Sequence, residues 1–205
     1  MLQPIYEVIW DVETKKFFDD TGTSDPGDLG VSIVSLYHRK LDGDFNEIEG
    51  RMLSFWEQDF DRMWKLFLEA DRIVGFNSKG FDVPALKPYA PPQFSKLPHF
   101  DMLEKLYEIV GRRMSLNALA KDTLKTAKID SGKNALVYWQ KGDPASLHLL
   151  KTYCEADVAI TRDLYDFAVK NKFLKYTDHW NNPRQVDVDF SYPAAPSPDK
   201  QLGLF

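Results

Sequence analysis

The sequence predicts an α/β domain with a mixed sheet whose first strands are antiparallel, flanked by helices. Three observations predict it: β-rich runs cluster early, one more apolar run follows a helical stretch, and helical periodicity fills most of the rest. Tyr6–Val12 is the first β-rich run and leads directly into acidic residues. Gly30–Lys40 is the second, with Val31, Ile33 and the following odd positions setting a period of two. Asp42-Gly43-Asp44 is a hairpin signal, so a third strand is expected over Glu47–Met52, completing an antiparallel meander. Ser54–Ala70 reads as a helix with Phe55, Phe60, Trp64, Phe67 and Leu68 on one face. Asp71–Asn77 holds a short apolar strand, Arg72-Ile73-Val74-Gly75-Phe76, that enters a glycine-containing loop. Val83 starts a helix that stops near Pro88, and Leu103–Val110, Leu116–Leu124 and Leu147–Lys172 read as further helices. A folded domain is thus expected over residues 1–180. From Asn181 onward Pro183, Pro193, Pro196 and Pro198 stand among polar residues, which predicts a flexible tail over 181–205 with weak β potential at Val186–Phe190.

Composition narrows the function classes. The 205 residues carry 26 Lys+Arg against 31 Asp+Glu, a net charge of −5. Cys154 is the one cysteine, so a disulfide framework and a four-thiolate zinc site are excluded. The N-terminus shows no basic segment followed by an apolar stretch, and the longest apolar runs, such as Val31–Tyr37, are strand-sized. A cytoplasmic protein without a membrane partner is expected. Charge is unevenly spread: Thr14–Asp71 holds 13 acids against 7 bases, while Gly111–Gly142 holds seven bases against Asp122 and Asp130. The basic stretch fits either a solvated helix face or a surface that follows phosphates. Gly132-Lys133 lacks the rest of a P-loop, and no Gly-x-Ser-x-Gly occurs.

The acids carry the functional signal. Asp11 and Glu13 are two apart at a strand end, so their carboxylates share a face and can share a cation. Asp82 follows the second apolar strand and its loop. Tyr153 and Asp157 are four apart in a helical stretch and stack on one face. Four carboxylates from two strand ends and one helix can therefore converge, a grouping that makes sense when divalent cations neutralise it. All-oxygen ligation favours Mg²⁺ or Mn²⁺. Two such ions ~4 Å apart would hold the attacking and leaving oxygens of a phosphoryl displacement.

Trp10-Asp11-Val12-Glu13-Thr14, Gly75-Phe76-Asn77 with Phe81-Asp82-Val83-Pro84-Ala85-Leu86, and Tyr153-Cys154-x-x-Asp157 together resemble the three motifs of the DEDD 3′–5′ exonuclease superfamily, which has a ribonuclease H-like fold. The second and third look most like those of the proofreading domain of family-B DNA polymerases and its stand-alone relatives. The resemblance runs from about residue 5 to 172. The histidine branch of the superfamily places a His five before the last Asp, where this chain has Thr152; the tyrosine branch places a Tyr four before it, and here that is Tyr153. The resemblance implies that Asp11, Glu13 and Asp157 bind the catalytic metal, that Asp11 bridges to a second ion, and that Asp82 acts on that ion through water. It implies that Tyr153 orients the attacking water and that Asn77 and Phe81 bind substrate. Trp10 departs from the usual small apolar residue or Phe before the first Asp.

Other residues have plainer expectations. His38, His99, His148 and His179 share no spacing and read as surface or structural. Cys154 reads as a small buried residue beside the site, and Asp101 as a helix start. Phe17-Phe18 and Tyr138-Trp139 fit core packing or stacking on terminal bases.

The chain ends Gln201-Leu202-Gly203-Leu204-Phe205, which resembles the bacterial sliding-clamp-binding pentapeptide. A tether would carry the apolar anchors Leu202, Leu204 and Phe205 into a groove, with Gln201 supplying directional hydrogen bonds. The expectation is a metal-dependent 3′–5′ exonuclease acting on single-stranded or 3′-ended DNA at a replication or repair clamp. The alternatives are an RNA-trimming nuclease on the same fold and a catalytically idle clamp-binding adaptor.

Overall fold

In the computed structural model, which describes residues 4–126 and 132–192, the sheet is arranged around its first strand. β1 (Ile5–Thr14) is rich in β-branched and aromatic residues and buries Val8, Ile9, Trp10 and Val12, so it needs a partner on each edge. On one edge β2 (Val31–Leu41) pairs antiparallel from Ile5↔Leu41 to Thr14↔Val31, and β3 (Glu47–Trp56) pairs antiparallel with β2 in turn. On the other edge β4 (Arg72–Gly75) runs parallel over Glu7↔Arg72 to Ile9↔Val74, followed by β5 (His99–Asp101). The order is β3-β2-β1-β4-β5, a mixed sheet with antiparallel first strands.

Helices cover both faces. On one side, Val8, Trp10 and Val12 pack with α2 (Phe60–Leu68) and α3 (Asp82–Leu86), where Trp10 meets Phe67 and Phe94 edge-on at 5.1 and 5.8 Å. On the other side, Ile9 packs with α4 (Met102–Val110), α5 (Leu116–Leu124) and α7 (Pro144–Asn171). α7 begins where Asp143 caps it by accepting from Ser146 N and Pro144 takes the first turn. A short α1 (Phe18–Thr21) follows β1, and α6 (Gly132–Lys141) packs Ala135 with Leu150, Tyr153 and Cys154 of α7. Among the described residues no helix is long and apolar enough to cross a membrane.

Two expectations are corrected here. Ser54–Ala70 is not one helix: Phe55 and Trp56 stay in β3, opposite Val34 and Ile33, and the α-helix begins at Phe60. The long β2 offers hydrogen bonds and an apolar face to those two aromatics, and cross-strand packing overrides the helical spacing. The tail does not start at 181. β6 (Phe173–Thr177) and β7 (Pro183–Asp187) form a hairpin, and Val188 N then donates to Lys172 O. Val188 and Phe190 enter the core. The remaining tail, with Gln201, Leu202, Leu204 and Phe205, lies outside the described residues, as does Lys128.

A buried ionic network holds the end of this segment. Glu7 is 1% exposed; its Oε2 accepts from Arg39 Nε at 2.9 Å, and its Oε1 accepts from the Tyr165 and Tyr192 hydroxyls at 3.0 and 2.8 Å. Arg39 forks onto Asp166 at 2.9 and 2.7 Å. Arg72 donates to the Tyr165 hydroxyl and to the carbonyls of Phe190 and Ser191, with its guanidinium 3.7 Å over the Tyr192 ring. Burial and then the Glu7 carboxylate push both tyrosine hydroxyls well above their ordinary pKa, so they remain donors. Removing Glu7 takes the acceptor from Arg39 Nε and from both tyrosine hydroxyls at once. Glu7→Ala should therefore cost about 3–5 kcal/mol of stability in chemical denaturation, whereas a loss under about 1 kcal/mol would show the network to be dispensable.

Candidate active site

The site is built at the C-terminal end of β1, beside its parallel neighbour β4. The pleat sends Glu7, Ile9, Asp11 and Glu13 to the face covered by α7. Asp11 and Glu13 are half-buried there and meet Cys154, one donor atom from each of the three lying within 4.8 Å of the others. The Cys154 thiol lies 3.7 Å from Asp11 O, fully buried, and burial followed by the Asp11 and Glu13 charges pushes its pKa up. It stays a thiol, a small buried residue beside the acids.

Asp82 arrives from a loop that the structure pins closely. β4 ends at Gly75, where a Cβ would fall 2.4 Å from Ser78 Cβ, so only glycine lets the chain turn back this tightly. Asn77 sits in the left-handed region at φ 66. Asp101 accepts from Asn77 N and Lys79 N at 2.9 and 3.0 Å while also capping α4 through Leu103 N and Glu104 N. Ser78 O then accepts from Val83 N at 2.8 Å, opening α3 with Asp82 in its first turn. Asp82 is 4% exposed, and its Oδ1 accepts from Val12 N at 3.2 Å, between Asp11 and Glu13.

α7 supplies the rest. Tyr153 and Asp157 are one turn apart, 5% and 3% exposed. Burial pushes the Tyr153 hydroxyl far above its ordinary pKa, followed by the charges of Asp157, Glu13 and Asp11 and by its hydrogen bond to Asp157. It is a fixed proton donor among three carboxylates. The five residues that the sequence nominated, Asp11, Glu13, Asp82, Tyr153 and Asp157, lie on β1, α3 and α7. The tight trio contains only the first two of these; Asp82 joins through Val12 and Asp157 through Tyr153. Thr152 is exposed and donates to His148 O, turned to its own helix.

A model of the RNase H superfamily matches residues 9–169, from within β1 to near the end of α7. The chain belongs to the RNase H superfamily. A search of curated proteins found no match. Membership in the RNase H superfamily points to a nuclease, a hydrolase with a nucleic-acid substrate, and the carboxylate group is one that could hold a divalent cation. The donor chemistry fits: Asp11 and Glu13 offer carboxylate oxygens, which suit hard cations, while burial keeps the third member of the trio, Cys154, a thiol.

The remaining candidates separate. Asn77 Oδ1 accepts from Arg113 Nη2, a partner 36 residues away that no local pattern reveals. Phe81 is half-buried and meets Phe18 edge-on at 6.2 Å, while Phe17 and Phe18 are 43% and 39% exposed and so are not core. Tyr138 and Trp139 pack against the Tyr153–Cys154 cluster. His99 is held structurally, its Nε2 2.9 Å from Phe94 O, and His38 stacks on Tyr6. Asp101 starts a helix as expected, but its hold on the Asn77 loop is an addition that spacing could not reveal.

Proposed function

We propose that this chain is a metal-dependent 3′–5′ exonuclease of the tyrosine DEDD type, acting on DNA and recruited to a sliding clamp through Gln201, Leu202, Leu204 and Phe205. One observation carries the catalytic part: the buried Tyr153 hydroxyl sits beside Asp157 with Glu13 and Asp11 near it at the end of β1, in a chain of the RNase H superfamily. Two Mg²⁺ or Mn²⁺ ions bound by Asp11, Glu13, Asp82 and Asp157 would supply an activated water and neutralise charge on the scissile phosphate. The Tyr153 hydroxyl would hold that water in line with the phosphorus by hydrogen bonding. Asn77 and Phe81 would position the terminal nucleotide, Asn77 from a backbone that Asp101 already fixes. Hydrolysis would release a 5′-mononucleotide and leave a new 3′-hydroxyl. An idle adaptor has no use for four converging acids, and the RNA alternative enters as an arm of the test.

End-labelled DNA and RNA strands, incubated with the purified protein and Mg²⁺, Mn²⁺ or EDTA, test the chemistry. Stepwise shortening of DNA from the 3′ end is expected, lost in EDTA and reduced to under a few per cent in Asp11→Ala and Asp157→Ala. Tyr153→Phe keeps the ring and should slow single-turnover cleavage roughly 10–10³-fold. Full activity in both Asp variants would contradict the assignment, and shortening of RNA alone would replace DNA as the substrate.

The clamp reading is tested by deleting residues 201–205. Each apolar anchor buried in a groove is worth roughly 1.5–3 kcal/mol, so measurable clamp affinity should vanish while cleavage of short free strands is retained. Equal clamp binding by both proteins would show the peptide to be incidental.

A further inference from the structure

The loop carrying Asn77 is one end of a longer feature, and the inference drawn from it rests on the nuclease reading above. Arg113, in the connection between α4 and α5, donates to Asn77 Oδ1. Its neighbour Arg112 donates to Thr177 O at 3.2 Å and lies 4.9 Å over the Tyr176 ring. Thr177 ends β6, and the turn beyond it presents Trp180, which at 70% is the most exposed large apolar side chain among the described residues. The turn is firmly built. Asp178 accepts from Trp180 N, Asn182 N and Arg184 Nε at 3.0, 2.9 and 2.8 Å, and these bonds, that from Asn182 N foremost, hold its carboxyl down to about 2.

β6 runs beside α5, where Thr123 Oγ1 donates to Lys175 O at 3.0 Å. The Arg112 contact with Thr177 ties the returning strand to the same connection whose Arg113 touches Asn77. A line thus runs from the Asn77 loop through the adjacent Arg113 and Arg112 to Thr177, three residues before Trp180.

We infer that this line binds the single strand on the 5′ side of the terminal nucleotide, with Arg113 taking a phosphate and the Trp180 ring stacking on a base. A guanidinium and an exposed indole are groups that unpaired polynucleotide favours: every nucleotide offers a phosphate and a π-face, whatever its sequence. Trp180 stays exposed although its ring meets that of His179 at 3.5 Å, and its prefixed turn spares the ordering cost that a loose loop would incur on binding. Arg113, held against Asn77 in the free protein, is already directed at the loop that would meet the end of the strand.

The test measures how affinity grows with strand length, by anisotropy of 5′-labelled dT4 and dT15, and of U4 and U15, with the full chain in EDTA. In the wild type dT15 or U15 should bind much more tightly than its four-nucleotide counterpart. Trp180→Ala and Arg113→Ala should each cut that ratio at least fivefold in the deoxyribose or the ribose series, and Trp180→Phe should restore most of it. Arg113→Ala should also lessen the salt slope of binding by about 0.7. An unchanged ratio for Trp180→Ala in both series would overturn the inference. Failure of the nuclease reading looks different: strands bound with this length dependence but left intact in Mg²⁺ and Mn²⁺ would overturn that reading while supporting the strand-binding line.

Discussion

The packing of α7 along one face of β1 is the constraint on which the rest depends. Glu7, Ile9, Asp11 and Glu13 lie on that face, and the helix meets them in reverse order. Tyr165 bonds to Glu7 at one end, while Cys154 and Tyr153 stand beside Asp11 and Glu13 at the other. The two spacings match. Tyr153 to Tyr165 is 165 − 153 = 12 helical residues, about 18 Å, and Glu7 to Glu13 is 13 − 7 = 6 strand residues, about 20 Å. A one-residue slip of the strand would turn all four side chains to the opposite face, so the Glu7 network far from the acids fixes where Tyr153 and Asp157 fall.

The two ends of this interface treat buried charge in opposite ways. At Glu7 the chain supplies its own compensation, from Arg39 directly and from Arg72 through the Tyr165 hydroxyl. At Asp11 and Glu13 the neighbours acting on Tyr153 are carboxylates, and each pushes its proton further on. One end is closed by the protein and serves stability. The other concentrates negative charge at the C-terminal end of the central strand, where parallel strands end and loops can admit a polymer.

Much of this was legible in the sequence because it is local. The β-rich run of β1, the Leu116–Leu124 helix and the spacings Asp11 to Glu13 and Tyr153 to Asp157 depend on composition, period and neighbours alone. What could not be read depends on partners far along the chain. Phe55 and Trp56 join a strand because β2 is there to receive them. The segment after Asn181 looks like tail by composition, yet Arg72, 119 residues before Ser191, ties it down. His99–Asp101 is too short to carry a pattern, and Arg113 meets Asn77 only because α4 brings the chain back. The hairpin with Trp180 likewise gains its place from the return of β6 along α5.

The central claim is that the acids at the end of β1 form one divalent-cation centre. Crystals grown with Mn²⁺ and a bound mononucleotide, measured for the anomalous signal of the metal, test it most directly. Two peaks about 4 Å apart, enclosed by Asp11, Glu13, Asp82 and Asp157, are the result the account predicts. A map with no peak among those four side chains, at an occupancy that shows Mn²⁺ bound elsewhere on the protein, would contradict it.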